Sequence, residues 1–171
     1  MATAIPDNHA SFLLRELAAV SGGSSTPGAQ ELRVTGVVTD SRAVRPGNLY
    51  VALRGERHDA HAFLAQAQAS GAAAALVERA DAAPAGLPVV SVADTRRALG
   101  EIARFHRTRW GKPLIAITGS AGKTTTKELT AAALRGVGQR VLATLGNLNN
   151  DIGLPMTLFG LTDAHDIAVV E

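Results

Sequence analysis

Residues 114–126 read LIAITGSAGKTTT, and this stretch decides the fold class of the chain. Its first five residues are apolar or β-branched at consecutive positions, a pattern typical of a strand that is buried on both faces of a sheet. Gly119 and Gly122 then turn the chain, and good helix formers follow from Lys123. A strand, a glycine turn and a helix in this order aim backbone N–H groups and the positive end of the helix dipole at one point. That point suits a phosphate group.

The turn is shorter than the common phosphate-binding pattern G-x-x-x-x-G-K-[ST], because Ile117 stands where that pattern has its first glycine. A strand-to-helix turn with an incidental GKT is the simpler alternative. The apolar strand before the turn and the helix after it favour a nucleotide site, with Lys123 at the terminal phosphates and the Thr124 hydroxyl on Mg²⁺. A phosphate loop indicates the ligand without identifying a reaction.

Periodicity along the rest of the chain predicts an α/β protein. Helices are predicted over residues 10–20, 61–70, 94–110 and 123–134, and strands over residues 34–38, 49–53, 74–77, 89–92, 114–118, 140–143 and 167–171. The pattern changes near residue 92. We therefore expect a small N-terminal α/β domain over residues 1–92, followed by the first part of a P-loop domain with a parallel sheet over residues 93–171. The parallel sheet of this second domain is predicted to be incomplete at the C-terminus, because no helix follows the last strand.

Composition bears on several classes of function. Hydrophobic residues make up 46% of the 171 residues, enough for a packed core, and the absence of cysteine excludes disulfides and thiolate metal sites. The 17 basic and 15 acidic residues leave a formal net charge of +2, too small an excess to indicate nucleic-acid binding. The sequence contains no apolar run long enough to span a membrane and no signal-peptide pattern, so a cytoplasmic protein is expected.

Two further stretches carry polar residues in patterns that have two interpretations each. GNLNNDIGLPMTL (146–158) holds three asparagines in four positions of a glycine-bearing loop, where they are either turn formers or part of a polar site. TDSRAVRPGNLYVALRGERHDAHAF (39–63) contains Asp-Ser-Arg at 40–42, which is either a turn or a ligand contact. The histidines and aspartate within 58–61 match no common zinc spacing.

The three motifs, in this order, resemble those of the Mur ligases. The loop TGSAGKTT is the shortened form found in Mur ligases and folylpolyglutamate synthetases, and residues 39–63 resemble the UDP-substrate-binding module of the later-acting Mur ligases. GNLNNDIGLPMTL resembles the branch that adds D-alanyl-D-alanine. The resemblance implies a monomeric ATP-dependent ligase of peptidoglycan synthesis. It would join D-alanyl-D-alanine to UDP-N-acetylmuramoyl-tripeptide through an acyl phosphate, with ATP and Mg²⁺ as cofactors.

The same resemblance implies roles for the residues around the phosphate loop. Lys123 and Glu171 are implied to be catalytic, and Thr124 and Glu171 to hold Mg²⁺. The residues implied to contact the nucleotide or line its site are Gly119, Ser120, Ala121, Gly122, Lys123, Thr124, Thr125, Asn147, Asn149 and Asn150.

For the UDP part of the substrate, the resemblance implies that the first domain, residues 1–92, is the substrate-binding domain. The contact residues would be Ser41 and Arg42 together with the stretch Arg54–His61, in which Asp59 and His61 are the named candidates. Ala60 departs from the family, which usually has glycine at this position.

Two alternatives remain open at this point. Another Mur-type ligase, such as the one that adds the third peptide residue, would share the phosphate loop and the Asp-Ser-Arg region but should lack GNLNNDIGLP. The second alternative is a P-loop nucleotide-binding module without ligase chemistry. Because the second domain is predicted to be incomplete, we expect no ligase activity from these 171 residues alone.

Overall fold

The computed structural model describes residues 5–55 and 58–171. These residues form two compact units, one of residues 7–102 and the other of residues 103–171 with residues 5–6. The division falls inside a helix, and the domain boundary expected near residue 92 stays a proposal. None of the helices in the described ranges combines the length and the hydropathy needed to cross a lipid bilayer.

The first unit is built around a five-stranded sheet. Its strands are β2 (Ser24–Ser25), β4 (Val37–Val38), β5 (Leu49–Val51), β6 (Ala74–Val77) and β7 (Val89–Ser91), in the order β2-β7-β6-β5-β4. Strands β4 to β7 are parallel, and β2 joins β7 antiparallel. Every residue of β5 and β6 is buried, as expected for central strands of a parallel sheet covered on both faces.

The chain also forms an antiparallel pair of strands and α-helices in this part of the sequence. The pair is β1 (Ser11–Leu13) with β3 (Arg33–Thr35). The helices are α1 (Leu14–Ser21), α2 (Leu64–Ala69) and α3 (Thr95–Trp110), the last of which continues into the second unit.

Three predicted elements of the first unit need correction. The helix predicted over residues 10–20 begins only at Leu14, because residues 11–13 pair with β3. The strand predicted over residues 34–38 is two strands, because the chain turns at Gly36 and β3 and β4 join different sheets. The helix predicted over residues 61–70 starts as a 3-10 turn and becomes α-helical only at α2.

Other predictions for this unit are confirmed. Strand β6 has the predicted bounds of residues 74–77. Helix α3 begins directly after Asp94, whose Oδ1 accepts hydrogen bonds from the backbone amides of Arg96 at 2.8 Å and Arg97 at 2.9 Å. Such an N-cap satisfies helix donors that have no partner within the helix.

The second unit contains the predicted parallel sheet, which is confirmed. Strands β8 (Leu114–Ala116), β9 (Val141–Ala143) and β10 (Ile167–Val170) are all parallel, in the order β8-β10-β9. Helix α4 (Lys123–Gly136) connects β8 to β9, and α5 (Gly153–Leu158) lies between β9 and β10. Because the three strands are parallel, their carboxyl ends meet at one edge of the sheet, where ligands of α/β proteins usually bind.

Strand β8 is more exposed than its sequence predicts. Leu114 is half-buried, while Ile115 and Ala116 are exposed. The prediction that residues 114–118 are buried on both faces is therefore wrong for this chain. The physical reason is strand order: β8 is an edge strand of the described sheet, and the central position belongs to β10, in which Ala168, Val169 and Val170 are buried.

Candidate functional site

The phosphate-loop segment, residues 118–122, links β8 to α4 and is exposed to solvent. The backbone N–H of Ile117 donates to the carbonyl oxygen of Val170 at 2.8 Å, so Ile117 still belongs to the pairing with β10 and the loop starts after it. Gly122 precedes α4 directly and has φ of 76°, a left-handed conformation that side chains with a Cβ disfavour. The loop is therefore complete although it is shorter than the common pattern.

Lys123 is the first residue of α4, and its side chain folds back over the loop. Its Nζ donates a hydrogen bond to the carbonyl oxygen of Gly119 at 2.8 Å. The ammonium group thus lies beside the N-terminus of α4, where the helix dipole and the first backbone N–H groups already favour an anion. Ser120, Ala121, Thr124 and Thr125 are exposed around the same turn.

Glu171 follows β10 at the edge of the sheet where the phosphate loop begins. Its Oε1 accepts hydrogen bonds from the Thr124 hydroxyl at 3.2 Å and from Nδ2 of Asn149 at 2.7 Å. Its backbone N–H donates to Oγ1 of Thr144 at 3.2 Å. The fold therefore brings Thr124 of α4 and Asn149 of the asparagine-rich loop (residues 146–152) to the carboxylate of Glu171, and Thr144 to its backbone.

The second carboxylate oxygen of Glu171 is relevant to metal binding because it lacks a protein partner in the described part of the chain. This atom, Oε2, is buried and has no hydrogen-bond partner among the described residues. Burial of a carboxylate oxygen without a partner costs free energy, which a hard cation with oxygen ligands would offset. With the Thr124 hydroxyl beside it, the donor set fits Mg²⁺.

The described residues contain no cluster of three or more histidine, cysteine or acidic side chains that would suit a metal held by protein ligands alone. A Mg²⁺ ion beside phosphates usually takes only one or two carboxylates, with phosphate oxygens and water as its remaining ligands. The single carboxylate of Glu171 is therefore compatible with Mg²⁺ bound together with a nucleotide.

The asparagines on either side of Asn149 have different surroundings. Oδ1 of Asn150 accepts hydrogen bonds from the backbone amides of Ile152 at 3.2 Å and Gly153 at 2.7 Å, so this side chain stabilises the start of α5. Asn147 is exposed. The predicted nucleotide contacts of Asn147 and Asn150 stay predictions, while the side chain of Asn149 contacts Glu171.

In the first unit, the Asp-Ser-Arg motif forms a 3-10 turn at Ser41–Ala43. Asp40 accepts hydrogen bonds from Nε and Nη2 of Arg42 at 2.9 Å and 2.7 Å and from its backbone amide at 2.9 Å. These bonds, the side-chain ones foremost, hold the pKa of Asp40 below its ordinary value. The Arg42 side chain is 83% exposed. Ser41 is buried, and its hydroxyl donates to Oε1 of Gln66 at 3.2 Å. Substrate contact by Ser41 and Arg42 stays a prediction, and of the two Arg42 is the residue exposed to solvent.

His61 is buried, with a side chain only 1% exposed, and both ring nitrogens contact protein groups. Nδ1 lies 2.6 Å from Oδ1 of Asp59, and Nε2 accepts a hydrogen bond from the backbone amide of Glu78 at 2.9 Å. The ring hydrogen is therefore assigned to Nδ1 and donated to Asp59. Substrate contact by His61 stays a prediction, and the geometry supports a role in orienting Asp59.

Asp59 itself is half-buried and is held from two sides. The backbone amide of His61 donates to its Oδ1 at 3.0 Å, and Nη2 of Arg79 donates to its Oδ2 at 2.7 Å. The bond from the His61 amide is the main cause that lowers the pKa of Asp59. Glu56 and Arg57, which fall inside the predicted contact stretch Arg54–His61, lie outside the described residues.

Ala60 fits the structure without the glycine that the resemblance led us to expect. It begins a 3-10 turn, Ala60–Phe63, and its backbone amide donates to the carbonyl oxygen of Leu53 at 3.0 Å. Its own carbonyl oxygen accepts a hydrogen bond from the Tyr50 hydroxyl at 3.1 Å. Burial is the main cause that raises the pKa of Tyr50 to about 12, so this hydroxyl stays a donor at neutral pH.

Two residues near the phosphate loop were missed from the sequence. Lys127 is fully buried, and its Nζ donates to the carbonyl oxygen of Thr144 at 2.6 Å. Thr144 is also buried and contacts the backbone of Glu171. One feature of the sequence could have indicated that Lys127 lies near the site. It follows Lys123 by four residues, and residues four apart in a helix lie on the same face.

Two family models match the chain in the same order as the two units. The model described as the Mur ligase family catalytic domain matches residues 33–107, and the model described as the Mur ligase middle domain matches residues 117–171. The chain belongs to the Mur ligase family. The resemblance predicted from the three motifs is thereby confirmed.

Most of the chain is similar in sequence and in structure to known Mur ligases. The UDP-N-acetylmuramoyl-tripeptide–D-alanyl-D-alanine ligase of Escherichia coli is 50% identical over 141 residues, which cover 82% of this chain and 30% of that ligase. The crystal structure of MurF from Acinetobacter baumannii superimposes with a TM-score of 0.87 and 38% identity, covering 96% of this chain and 36% of that one. The α/β fold predicted from the sequence is thus the fold of this part of a Mur ligase.

A second Mur ligase structure contains a nucleotide. The MurF ligase from Thermotoga maritima, in complex with ADP, superimposes with a TM-score of 0.71 and 32% identity, covering 79% of this chain and 31% of that one. In each of these comparisons, the chain spans about a third of the length of the Mur ligase that it matches.

Proposed function

We propose that this chain carries the UDP-substrate module and the ATP-phosphate site of a ligase that joins D-alanyl-D-alanine to UDP-N-acetylmuramoyl-tripeptide in peptidoglycan synthesis. The observation that carries the proposal is the convergence of Thr124 and Asn149 on the carboxylate of Glu171, beside an exposed phosphate loop. The similarity to the UDP-N-acetylmuramoyl-tripeptide–D-alanyl-D-alanine ligase of Escherichia coli and to MurF from Acinetobacter baumannii supports the substrate assignment. The ADP in the Thermotoga maritima structure supports the nucleotide.

The proposed reaction forms an amide bond in two steps. A carboxylate oxygen of the tripeptide attacks the γ-phosphorus of ATP, ADP leaves, and an acyl phosphate is formed. The amine nitrogen of D-alanyl-D-alanine then attacks the acyl carbon, inorganic phosphate leaves, and the nitrogen loses a proton. Neither step requires a nucleophile from the protein, so positioning and charge neutralisation are the main needs.

The residues of this chain meet the charge requirement at the phosphate loop. Lys123 places a positive charge beside the backbone N–H groups of the α4 N-terminus, a combination that stabilises negative charge on phosphate oxygens. Bound Mg²⁺ would add further neutralisation of the phosphate charge. Thr124 and Glu171 would hold that ion, and Asn149 would keep the Glu171 carboxylate in place.

In the first unit, Arg42 is the group that we assign to the diphosphate of the substrate. Its guanidinium is exposed and rigidly held by two side-chain hydrogen bonds to Asp40, so it is ordered before any ligand binds. Asp59, fixed by His61 and Arg79, is assigned to the hydroxyl or amide groups of the nucleoside as an acceptor. We further propose that the protein acts as a monomer in the cytoplasm, where ATP is available.

Replacement of Lys123 tests the phosphate site directly. We expect Lys123→Ala to weaken the binding of Mg·ADP to this chain by roughly 10- to 100-fold, because a charge-assisted contact to phosphate is lost. The measurement is isothermal titration calorimetry. Lys112→Ala is the matched control, because this lysine donates to the backbone carbonyls of Asp163 and His165 and has no place in the proposed site. Unchanged affinity of the Lys123 variant would remove the phosphate-loop assignment.

The acceptor is tested separately, with the product of the complete gene. A phosphate-release assay with UDP-N-acetylmuramoyl-tripeptide should show turnover with D-alanyl-D-alanine and not with single amino acids. Turnover with the dipeptide supports the proposed ligase. Use of UDP-N-acetylmuramoyl-dipeptide and a single amino acid would favour the Mur ligase that adds the third residue, and nucleotide binding without any turnover would favour a binding module.

A further inference from the structure

Lys127 is a buried lysine that the proposed mechanism does not use. It lies one helical turn after Lys123 in α4, and its side chain is fully buried. A buried ammonium group is costly unless it is paired and hydrogen-bonded. Lys127 meets both conditions, since Nζ lies 2.6 Å from the carbonyl oxygen of Thr144 and 2.9 Å from Oε1 of Glu128.

The contact with Thr144 reaches the candidate metal site through one residue. Thr144 follows β9 directly, and its backbone amide donates to the carbonyl oxygen of Val169 in β10 at 3.1 Å. Its hydroxyl oxygen accepts the hydrogen bond from the backbone N–H of Glu171 at 3.2 Å. A donor that fixes the Thr144 carbonyl therefore also fixes the backbone from which the Glu171 carboxylate projects.

The contacts close into a ring around that carboxylate. Thr124 and Lys127 lie three residues apart on one face of α4. Thr124 contacts Oε1 of Glu171, while Lys127 contacts Thr144, which in turn contacts the Glu171 backbone. The ring thus sets the distance between α4, which carries the phosphate-binding residues, and the end of β10, which carries the carboxylate.

We propose that Lys127 is a positioning residue for Mg²⁺-dependent nucleotide binding, acting through Thr144 on the orientation of Glu171. An aliphatic side chain at this buried position would fill the space without the cost of burying a charge. It would leave the Thr144 carbonyl without its donor from α4 and would open the ring. The inference rests on the proposed nucleotide function, and it concerns the metal-dependent part of the affinity rather than the binding of phosphate itself.

The test compares ADP affinity with and without Mg²⁺ in this chain. Lys127→Met keeps the length of the side chain and removes its charge. We expect the gain in ADP affinity on adding Mg²⁺ to fall by about 10-fold or more, the usual cost of removing a group that orients a metal ligand. The affinity measured in EDTA should stay within about twofold, because the phosphate loop keeps Lys123. An unchanged Mg²⁺-dependent gain overturns the proposal.

Lys112→Met is the matched control, because Lys112 is also a lysine that donates hydrogen bonds to backbone carbonyl groups. Its Nζ donates to the carbonyl oxygens of Asp163 and His165, at 2.9 Å and 2.6 Å, before the start of β10. This variant should lower stability without changing the Mg²⁺-dependent gain. An equal loss of that gain in both variants would mean that general destabilisation is the cause, and the proposal would be wrong.

A second variant guards against misfolding of Lys127→Met. Thr144→Val keeps the side-chain shape and the backbone carbonyl but removes the hydroxyl acceptor, so it should lose the same Mg²⁺-dependent gain. Hydrogen exchange of the Glu171 amide gives a readout without nucleotide, and exchange should be faster in both variants than in the Lys112 control. Unchanged exchange overturns the proposal. If the unsubstituted chain does not bind ADP, the proposed nucleotide function is wrong. Faster exchange of the Glu171 amide in the variants would then still show that Lys127 positions Glu171 through Thr144.

Discussion

At the scale of single residues, Gly153 makes a close contact with the asparagine-rich loop. A Cβ built on Gly153 would lie 2.6 Å from Cα and 2.7 Å from the carbonyl carbon of Leu148, closer than atoms in native packing approach. Leu148 is buried, and Asn150 caps the backbone amide of Gly153. The glycine in this motif is therefore required by a close approach of two backbone segments, which also shapes the loop that carries Asn149.

Gly153→Ala should destabilise the second unit by about 1–3 kcal/mol, because a methyl group has to displace backbone atoms of Leu148. Urea denaturation followed by circular dichroism measures the change. Gly136→Ala, at the end of α4 in the same unit, is the control, since its added Cβ would meet nothing within 4 Å. The control should be neutral or stabilising by up to about 1 kcal/mol. Equal stability of the two variants would contradict the steric argument.

At the scale of elements, an ion pair joins the starts of β9 and β10. Asp166 accepts hydrogen bonds at 2.9 Å from the backbone amide and from Nε of Arg140, and its Oδ1 lies 2.5 Å from Nη2. The backbone amide of Asp166 in turn donates to the carbonyl oxygen of Arg140 at 2.8 Å. The side-chain hydrogen bonds from Arg140 are the main cause that lowers the pKa of Asp166 far below its ordinary value.

This pair predicts an acid-sensitive contribution to stability. Because the pKa of Asp166 is lower in the folded chain than its ordinary value of 3.8, the contribution is fully present above that value and is lost as the pH falls through the folded pKa. Asp166→Asn should be less stable than the unsubstituted chain at about pH 7. The difference in the free energy of unfolding should shrink as the pH falls below 3.8. Urea titrations over this range measure it, and a difference that does not change with pH would contradict the ion-pair argument.

At the scale of the whole molecule, the chain spans about a third of each Mur ligase that it matches. Within that third it has a complete phosphate loop, a carboxylate beside it and an ordered turn at Arg42, which we propose to contact the substrate. We therefore expect the 171-residue chain to bind Mg·ADP but to form no product from UDP-N-acetylmuramoyl-tripeptide and D-alanyl-D-alanine. Calorimetry and a phosphate-release assay on the same preparation test both parts. Product formation above the background without enzyme would show that the prediction of inactivity is wrong.

The local elements of the second unit could be predicted from the sequence. The strand before the phosphate loop, the loop itself and α4 follow one another in the chain, so their hydrophobic period and glycine positions were sufficient. The capped start of α3 at Asp94 is a similar case, since a capping side chain bonds to amides two and three residues away. These features depend on interactions between residues that are neighbours in the sequence.

Only the tertiary structure decided how the distant residues meet. The strand order β8-β10-β9 places Thr144 and Glu171 side by side and brings Asn149 to the same carboxylate, and no local pattern encodes that order. The same order leaves β8 at an edge, which is why its apolar sequence wrongly predicted burial. The burial of Lys127 was equally hidden, because a lysine in a helix is usually solvated and its partner here lies 17 residues away in the chain. Local chemistry determines the elements of this protein, and long-range pairing between parallel strands determines its candidate site.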